Sequence, residues 1–281
     1  MILNKKQIEL GYLGLYLLRS RLTGKRKDIK KSLLELKRHV LDSRIVINEH
    51  TKIKKYSVKS GYKIWSQSYD NMMNLLINTE QSIMEKLLTK YNGNVILDAA
   101  CGTGRISKIL VKQRRQVIGV DVSSDMLRLA KRKISGGKFI NGSIEKIPLK
   151  DNEVDLTICS LALTHLKSIN RAIRELKRVT KSEGIIILTD IHPTFVLIGG
   201  QAEFYGLNGE VGYVENNIHL ISTYLKVFQK SELTVKDCIE IPFNIKPSAV
   251  KKIGLDLDYG ITAQAMHGIP LVLIWILKKI N

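Results

Sequence analysis

Val95-Ile96-Leu97-Asp98-Ala99-Ala100-Cys101-Gly102-Thr103-Gly104-Arg105 is an apolar run that meets an acidic residue, turns through Gly-x-Gly, and opens a helical pattern from Ile106. That order specifies a buried strand, a glycine turn and a helix N-terminus, which together bring backbone N–H groups up to a bound cofactor. A dinucleotide loop of this kind reads Gly-x-Gly-x-x-Gly and sets its helix dipole on a pyrophosphate. Here Ser107 stands where the third glycine belongs, and the strand closes on Asp98. A carboxylate at that point repels a pyrophosphate and suits a cationic amino-acid headgroup. The loop therefore favours S-adenosylmethionine over a nicotinamide dinucleotide, and an oxidoreductase becomes a distant reading.

Outward from the loop, the chain alternates regularly. Strand patterns fall at 94–99, 116–121, 137–141, 154–160 and 184–190, and helical patterns at 104–114, 123–133 and 168–180. Strands and helices of these lengths predict a doubly wound α/β domain, Rossmann-like, with a mostly parallel sheet. After Asp190 come a glycine-rich stretch at 199–212, read as a lid or a surface loop, then a helix near 220–230 and strands at 233–241 and 269–278. Ahead of the loop, a helix is expected from about Met72 to Lys90. Residues 1–50 read as two helices separated at Gly24. The expected division is a basic helical extension over 1–60 and an α/β domain over 61–281.

Bulk properties narrow the function. With 281 residues and 44% hydrophobic content, the chain has enough to bury a full core. No apolar run reaches the roughly 18 residues of a transmembrane segment. The longest, Ile269 to Leu277, reads as a buried strand. The first residues lack a secretion-signal layout. Cys101, Cys159 and Cys238 are too dispersed for a zinc site or a disulfide framework, so no metal is expected and the cytoplasm is the default compartment. The net charge is +19, and residues 1–60 hold 16 Lys or Arg against 5 Asp or Glu. Such an arm either meets nucleic acid or an anionic membrane surface, or presents solvated helix faces. Nothing in the sequence reports the oligomeric state.

The second strand pattern ends at Asp121, nineteen residues past Gly102. An acidic residue at that offset accepts hydrogen bonds from both hydroxyls of an adenosine ribose. The helix N-cap beside it is already supplied by Ser123.

Residues 62–278 resemble a class I S-adenosylmethionine-dependent methyltransferase of the small-molecule type, the branch that includes quinone-biosynthesis enzymes. The resemblance rests on Leu97 to Gly104, on Gly119-Val120-Asp121-Val122-Ser123-Ser124-Asp125-Met126-Leu127, on Asn141 to Leu149, on Val154 to Cys159 and on Glu175 to Gly184. It implies that Asp98, Gly102 and Gly104, with Ala99 and Cys101 in the same turn, surround the methionine portion of the cofactor. Asp121 would hold the ribose, and Val122 and Met126 would flank the adenine. Ser143 stands where the family carries an acidic residue for the adenine amino group, so a neutral hydroxyl replaces a charge, with the Ile144 N–H beside it. Tyr69 matches a tyrosine lying over the cofactor. The family's sheet ends in an antiparallel hairpin, for which the two late strands have the right order and length.

The expected activity is methyl transfer to a small-molecule oxygen, nitrogen or carbon nucleophile. Positioning carries much of the rate, and a base removes a proton where the acceptor has one to lose. In open α/β sheets the reacting centre lies beyond the carboxyl ends of the strands. This singles out His165 and His192, after the fourth and fifth strands, followed by His219 and His267. Tyr205, Tyr213 and Tyr224 are candidates to shape an acceptor pocket. Two alternatives remain at this stage. One is an RNA-modifying methyltransferase using the basic segment, although Leu161-Ala162-Leu163-Thr164-His165 lacks the Asn-Pro-Pro-Tyr type of motif. The other is a non-catalytic cofactor-binding scaffold.

Overall fold

Side chains on a strand alternate between its faces, so a strand covered on both sides is apolar throughout. Val95–Ala99 follows this rule except at one position. Ile96, Leu97 and Ala99 are buried, and so is Asp98, at 2% exposure. A buried carboxylate costs several kcal/mol, on the order given by transfer data, unless it is hydrogen-bonded or has a partner. That exception marks the carboxyl end of this strand.

The computed structural model describes residues 2–3, 5–23, 25–41, 51–71, 74–244 and 259–280. The chain divides into two compact units, Lys55–Ile241 with Pro270–Asn281, and Met1–Lys54 with Pro242–Ile269.

The larger unit holds a seven-stranded sheet. Its strands are β1 Val95–Ala99, β2 Gln116–Asp121, β3 Gly137–Asn141, β4 Val154–Ser160, β5 Thr180–Ile191, β6 Leu233–Pro242 and β7 Pro270–Lys279. They lie in the order β6-β7-β5-β4-β1-β2-β3. β1 is parallel to β2 and β4, β2 to β3, and β4 to β5. β7 is antiparallel to β5, with Trp275 opposite Leu188. The chain thus leaves β1 in one direction and returns through β4 in the other, which opens a crevice at their carboxyl ends.

Around the sheet lie α1 Val58–Trp65, α2 Leu75–Lys90, α3 Arg105–Lys112, α4 Ser124–Lys133, α5 Asn170–Val179, α6 Pro193–Leu197 and α7 Ile221–Lys230. One face of the sheet, through Leu97, Ile118, Val120, Leu188, Leu273 and Trp275, packs on Ile173 and Leu176 of α5 and on Phe228 of α7. Cys101 and Phe139 join Leu127 and Ala130 of α4 in a second cluster. Met72 lies outside the described residues; α2 begins at Leu75, capped by Asn74 Oδ1, which accepts from the N–H groups of Leu76 and Ile77.

Much of the glycine-rich stretch is a paired hairpin rather than an open loop. Ala202–Tyr205 and Val211–Val214 pair as an antiparallel hairpin, and Lys54–Tyr56 adds a third strand beside Val211–Val214. Gly200, Gly206 and Gly212 serve close packing, while Gly199 and Gly209 take left-handed backbone in open space. A Cβ on Gly212 would come within 2.5 Å of the Tyr56 ring. Phe204 and Val214 form a small core with Trp65 of α1.

In the smaller unit the helix Tyr259–Met266 packs on the helix Lys5–Thr23, burying Leu13, Tyr16 and Ala265. The helix Arg26–Leu41 packs on Lys5–Thr23 as well. Gly24, expected to separate these two helices, lies outside the described residues. Pro242–Ile269 belongs to this unit, although the sequence pattern assigned it to the α/β domain. Among the described residues no helix is long and apolar enough to cross a membrane. No group of three or more His, Cys, Asp or Glu side chains among them stands close enough to hold a metal.

Candidate functional site

The crevice is a cavity of about 270 Å³. Segments following β1, β2, β3 and β4 line it, together with Val58 and Tyr62 of α1, Tyr69, and Ile77 of α2.

The turn after β1 is built from left-handed backbone. Ala100, Gly102 and Gly104 have φ of 57°, 55° and 84°. These angles turn the chain from strand to helix within a few residues, and glycine adopts them without a Cβ penalty. Asp98 points across the turn to α3, where its Oδ2 accepts from the Ser107 N–H at 2.9 Å and the Ser107 hydroxyl at 2.6 Å. Burial raises its pKa to about 6, against the opposing pull of those bonds and of Arg105. The Asp121 carboxylate ties β1 to β2, since Oδ2 accepts from the Gly102 N–H and Oδ1 from the Ser123 N–H, each at 2.8 Å. Burial raises its pKa also.

Tyr69 is held by its neighbour. Asp70 accepts from the Thr103 hydroxyl at 2.7 Å and from Lys133 Nζ at 2.6 Å, fastening this turn to the glycine loop. After β3, Gly142, Ser143, Ile144 and Glu145 line the cavity, and Ser143 Oγ accepts from the Glu145 N–H.

Beyond β4 stands the short turn Leu163–His165. It is clamped from behind. Asp190 accepts from the Thr164 N–H and from the Tyr224 hydroxyl, and the Thr164 carbonyl accepts from the backbone and side chain of Asn217. Asp190 is pushed up to about 7 by burial. His219 sits beneath the turn, its Nε2 between the Leu163 and Leu166 carbonyls. These contacts hold His165 at the cavity wall, where its Nε2 lies 2.8 Å from the Tyr62 hydroxyl and its Nδ1 lies 3.2 Å from the Glu215 carbonyl.

Most of the sequence-derived residues meet here. Tyr69, Asp98, Cys101, Gly102, Asp121, Val122, Ser143, Ile144 and His165 all line the cavity. Ala99, Gly104 and Met126 do not line it. Met126 is buried beneath the loop, where the first turn of α4 directs it inward. His192 is elsewhere too. It caps α6, with Nδ1 accepting from the Thr194 N–H and Nε2 donating to Glu240. Both ring nitrogens are thus engaged away from the cavity. Tyr224 is buried in the core, while Tyr205 and Tyr213 also lie outside the cavity lining.

The sequence pattern did not single out Glu80 or Arg105, whereas Ser160, expected to face the acceptor after the fourth strand, does line the cavity. Arg105 donates to Glu80, to Gln81 Oε1 at 2.8 Å and to Ser160 Oγ at 2.9 Å, and Ser160 also donates to Glu80. A signal was present. Glu80 falls on the α2 stripe of Ile77, Met84, Leu87 and Leu88, and a carboxylate on an apolar helix face requires a partner.

A protein family described as "Methyltransferase domain" matches residues 97–188. The chain is 31% identical over 139 residues to a malonyl-[acyl-carrier protein] O-methyltransferase of Yersinia pestis, covering 50% of this chain and 52% of the relative. It is 26% identical over 148 residues to a demethylmenaquinone methyltransferase of Thermotoga maritima, covering 50% of this chain and 64% of that one. The chain thus spans about half the length of the first of these relatives and under two thirds of the second. An S-adenosylmethionine-dependent methyltransferase structure from Mesorhizobium loti superposes with a TM-score of 0.55 at 17% identity, covering 72% of this chain and 98% of that one. At that identity the likeness is one of fold.

Proposed function

We propose, from the premise that this chain belongs to the class I S-adenosylmethionine-dependent methyltransferases, that it transfers a methyl group to a small-molecule acceptor at the crevice beyond β1 and β4. The observation that carries this reading is the charge of the cavity wall. Asp98, Asp121 and Glu145 line it, while Arg105, the one Lys or Arg among the described lining residues, is engaged by Glu80. An acidic crevice suits a ligand bearing a sulfonium and an ammonium group, and disfavours a pyrophosphate.

The residues present fit such a cofactor. Asp98 would attract the ammonium group, Gly102 would let the methionine portion approach the backbone, and Asp121 would accept from the ribose hydroxyls. Val122, Ser143 and the Ile144 N–H would meet the adenine, and Tyr69 would cover the cofactor. When bound, the sulfonium supplies an electrophilic methyl carbon. The chain's own task is to orient the acceptor, exclude water and take up a proton, and His165 is the candidate base on the wall. A cytoplasmic setting is consistent with three free cysteines.

Calorimetric titration with S-adenosylhomocysteine, with NADH as control, tests the reading. The expected result is binding on the order of micromolar for the first and none for the second. As pH falls through about 6, Asp98 gains a proton and loses its attraction for the ammonium group. Affinity should therefore drop roughly tenfold at one pH unit below that value. An affinity that stays level with pH removes Asp98 from this role, and no binding at all removes the cofactor.

A second surface is supported by charge. Arg26, Lys27, Lys30, Lys37 and Arg38 are exposed on the helix Arg26–Leu41. If they meet RNA, log affinity should fall linearly with log salt, with a slope of roughly −0.7 per phosphate contacted. Filter binding without a salt slope would exclude nucleic acid as the partner of residues 1–60.

A further inference from the structure

His165 is capped, and the cap decides what sort of acceptor the site takes. A backbone carbonyl only accepts hydrogen bonds, so the contact between Nδ1 and the Glu215 carbonyl puts the ring proton on Nδ1. In a neutral imidazole this leaves a lone pair on Nε2, and the Tyr62 hydroxyl therefore donates to it across 2.8 Å. Burial favours the neutral ring, since it lowers the His165 pKa, and it holds the Tyr62 phenol protonated. Tyr62 is fixed from the other side by its stack on Trp65, 5.4 Å between ring centres, and Trp65 stacks in turn on Phe204. An acceptor in the cavity thus reaches the base through the phenol oxygen.

The rest of this wall is apolar, formed by Val58, Ile77, Leu161, Ala162 and Leu166. The charged lining is acidic apart from Arg105, whose guanidinium is taken up by Glu80, Gln81 and Ser160. A carboxylate acceptor would enter an acidic cavity with no free cation among the described lining residues, and it would have no proton for a base to remove. A hydroxyl compound fits both facts.

We propose that the acceptor is a neutral, largely apolar molecule carrying a phenolic or enolic hydroxyl, and that Tyr62 relays its proton to His165. This rests on the methyltransferase reading above. The acceptor oxygen forms its bond to the methyl carbon as the carbon–sulfur bond breaks, with the electron pair leaving on sulfur. The hydroxyl proton passes to Tyr62 Oη while the Tyr62 proton passes to His165 Nε2. Tyr62 ends as it began, and His165 becomes an imidazolium that later loses its proton to solvent. Positive charge is conserved, since one cation is discharged as another forms, so the buried ring gains its charge without a net change in the cavity.

The test uses the full chain with paired probes, 2-naphthol and 2-naphthoate, and the variants Tyr62→Phe, His165→Ala and their combination. S-adenosylhomocysteine affinity and the His165 ¹⁵N shifts are measured alongside turnover. The S-adenosylhomocysteine complex is expected to bind 2-naphthol at least ~10-fold more tightly than 2-naphthoate, which meets no free cation. Tyr62→Phe should lower methyl transfer by roughly 10²-fold, as loss of a proton-transfer group does. It should also move the Nε2 resonance and leave S-adenosylhomocysteine affinity within about twofold. Residues acting as one relay are not additive, so the double variant should be no slower than His165→Ala alone. Preference for 2-naphthoate, binding of neither probe, an unshifted Nε2 resonance, or losses that multiply in the double variant would each overturn the proposal. Failure of the unaltered protein to bind S-adenosylhomocysteine would instead overturn the methyltransferase reading, and this inference with it.

Discussion

Gly104→Ala is expected to destabilise the folded protein by about 2–4 kcal/mol, whereas Gly102→Ala, two residues away, leaves it folded but impairs the cofactor site. The two glycines share a left-handed backbone, with φ of 84° and 55°, so each substitution carries a conformational penalty of about 1–2 kcal/mol. Their surroundings differ. A Cβ on Gly104 would come within 2.4 Å of Ile134 Cδ1 and 3.2 Å of Ala130 Cβ. Ile134 and Ala130 are buried with Leu127 and Phe139, so neither has space to retreat. A Cβ on Gly102 meets no atom within 4 Å, and Gly102 lines the cavity. The added methyl would occupy space beside the backbone where a ligand must approach. Thermal unfolding and calorimetry separate the two effects. Gly104→Ala should lower Tm by several degrees. Gly102→Ala should lower it little, yet weaken S-adenosylhomocysteine binding by about tenfold or more. Equal losses of Tm, with S-adenosylhomocysteine affinity of the folded Gly102→Ala protein unchanged, would show that Gly102, too, serves only the fold.

Asp121→Ala should weaken cofactor binding by about 100-fold or more, since hydrogen bonds to a charged acceptor contribute ~1.5–3 kcal/mol each. The carboxylate acts twice. It accepts the N–H groups of Gly102 and Ser123, holding the glycine turn against the tip of β2, and it offers its remaining lone pairs to the cavity. Alanine removes both functions and strands two backbone donors. Asp121→Asn keeps one carbonyl oxygen and so one of the two backbone bonds, and an intermediate loss is expected. Affinity in both variants equal to that of the unaltered protein would remove the ribose role. A loss confined to Tm would reduce Asp121 to a brace for the loop.

The strands and helices of the α/β unit follow from local chemistry, which is why they were legible. Gln116–Asp121, Gly137–Asn141 and Val154–Ser160 match their expected bounds, and Ser123 caps α4 through its hydroxyl. Asp98 and Asp121 announced themselves as acidic residues closing apolar runs. Long-range packing was not legible in the same way. The stretch 199–212 carried the glycines of a loop, but Gly212 admits the ring of Tyr56 and the hairpin packs on Trp65.

By itself, then, the sequence determined the alternating elements, the glycine turn and the two carboxylates of the crevice, because each depends on residues close together along the chain. Tertiary structure decided which histidine faces the cavity. His165 and His192 occupy like positions after neighbouring strands, but the clamp of Asp190, Asn217 and His219 turns the first toward Tyr62, while Thr194 and Glu240 hold both nitrogens of the second. Tyr62 and Glu80 likewise gained their roles from partners 103 and 25 positions away, His165 and Arg105. Hydrogen bonds and packing between such distant residues exist only once the chain has folded, and local pattern carries no record of them.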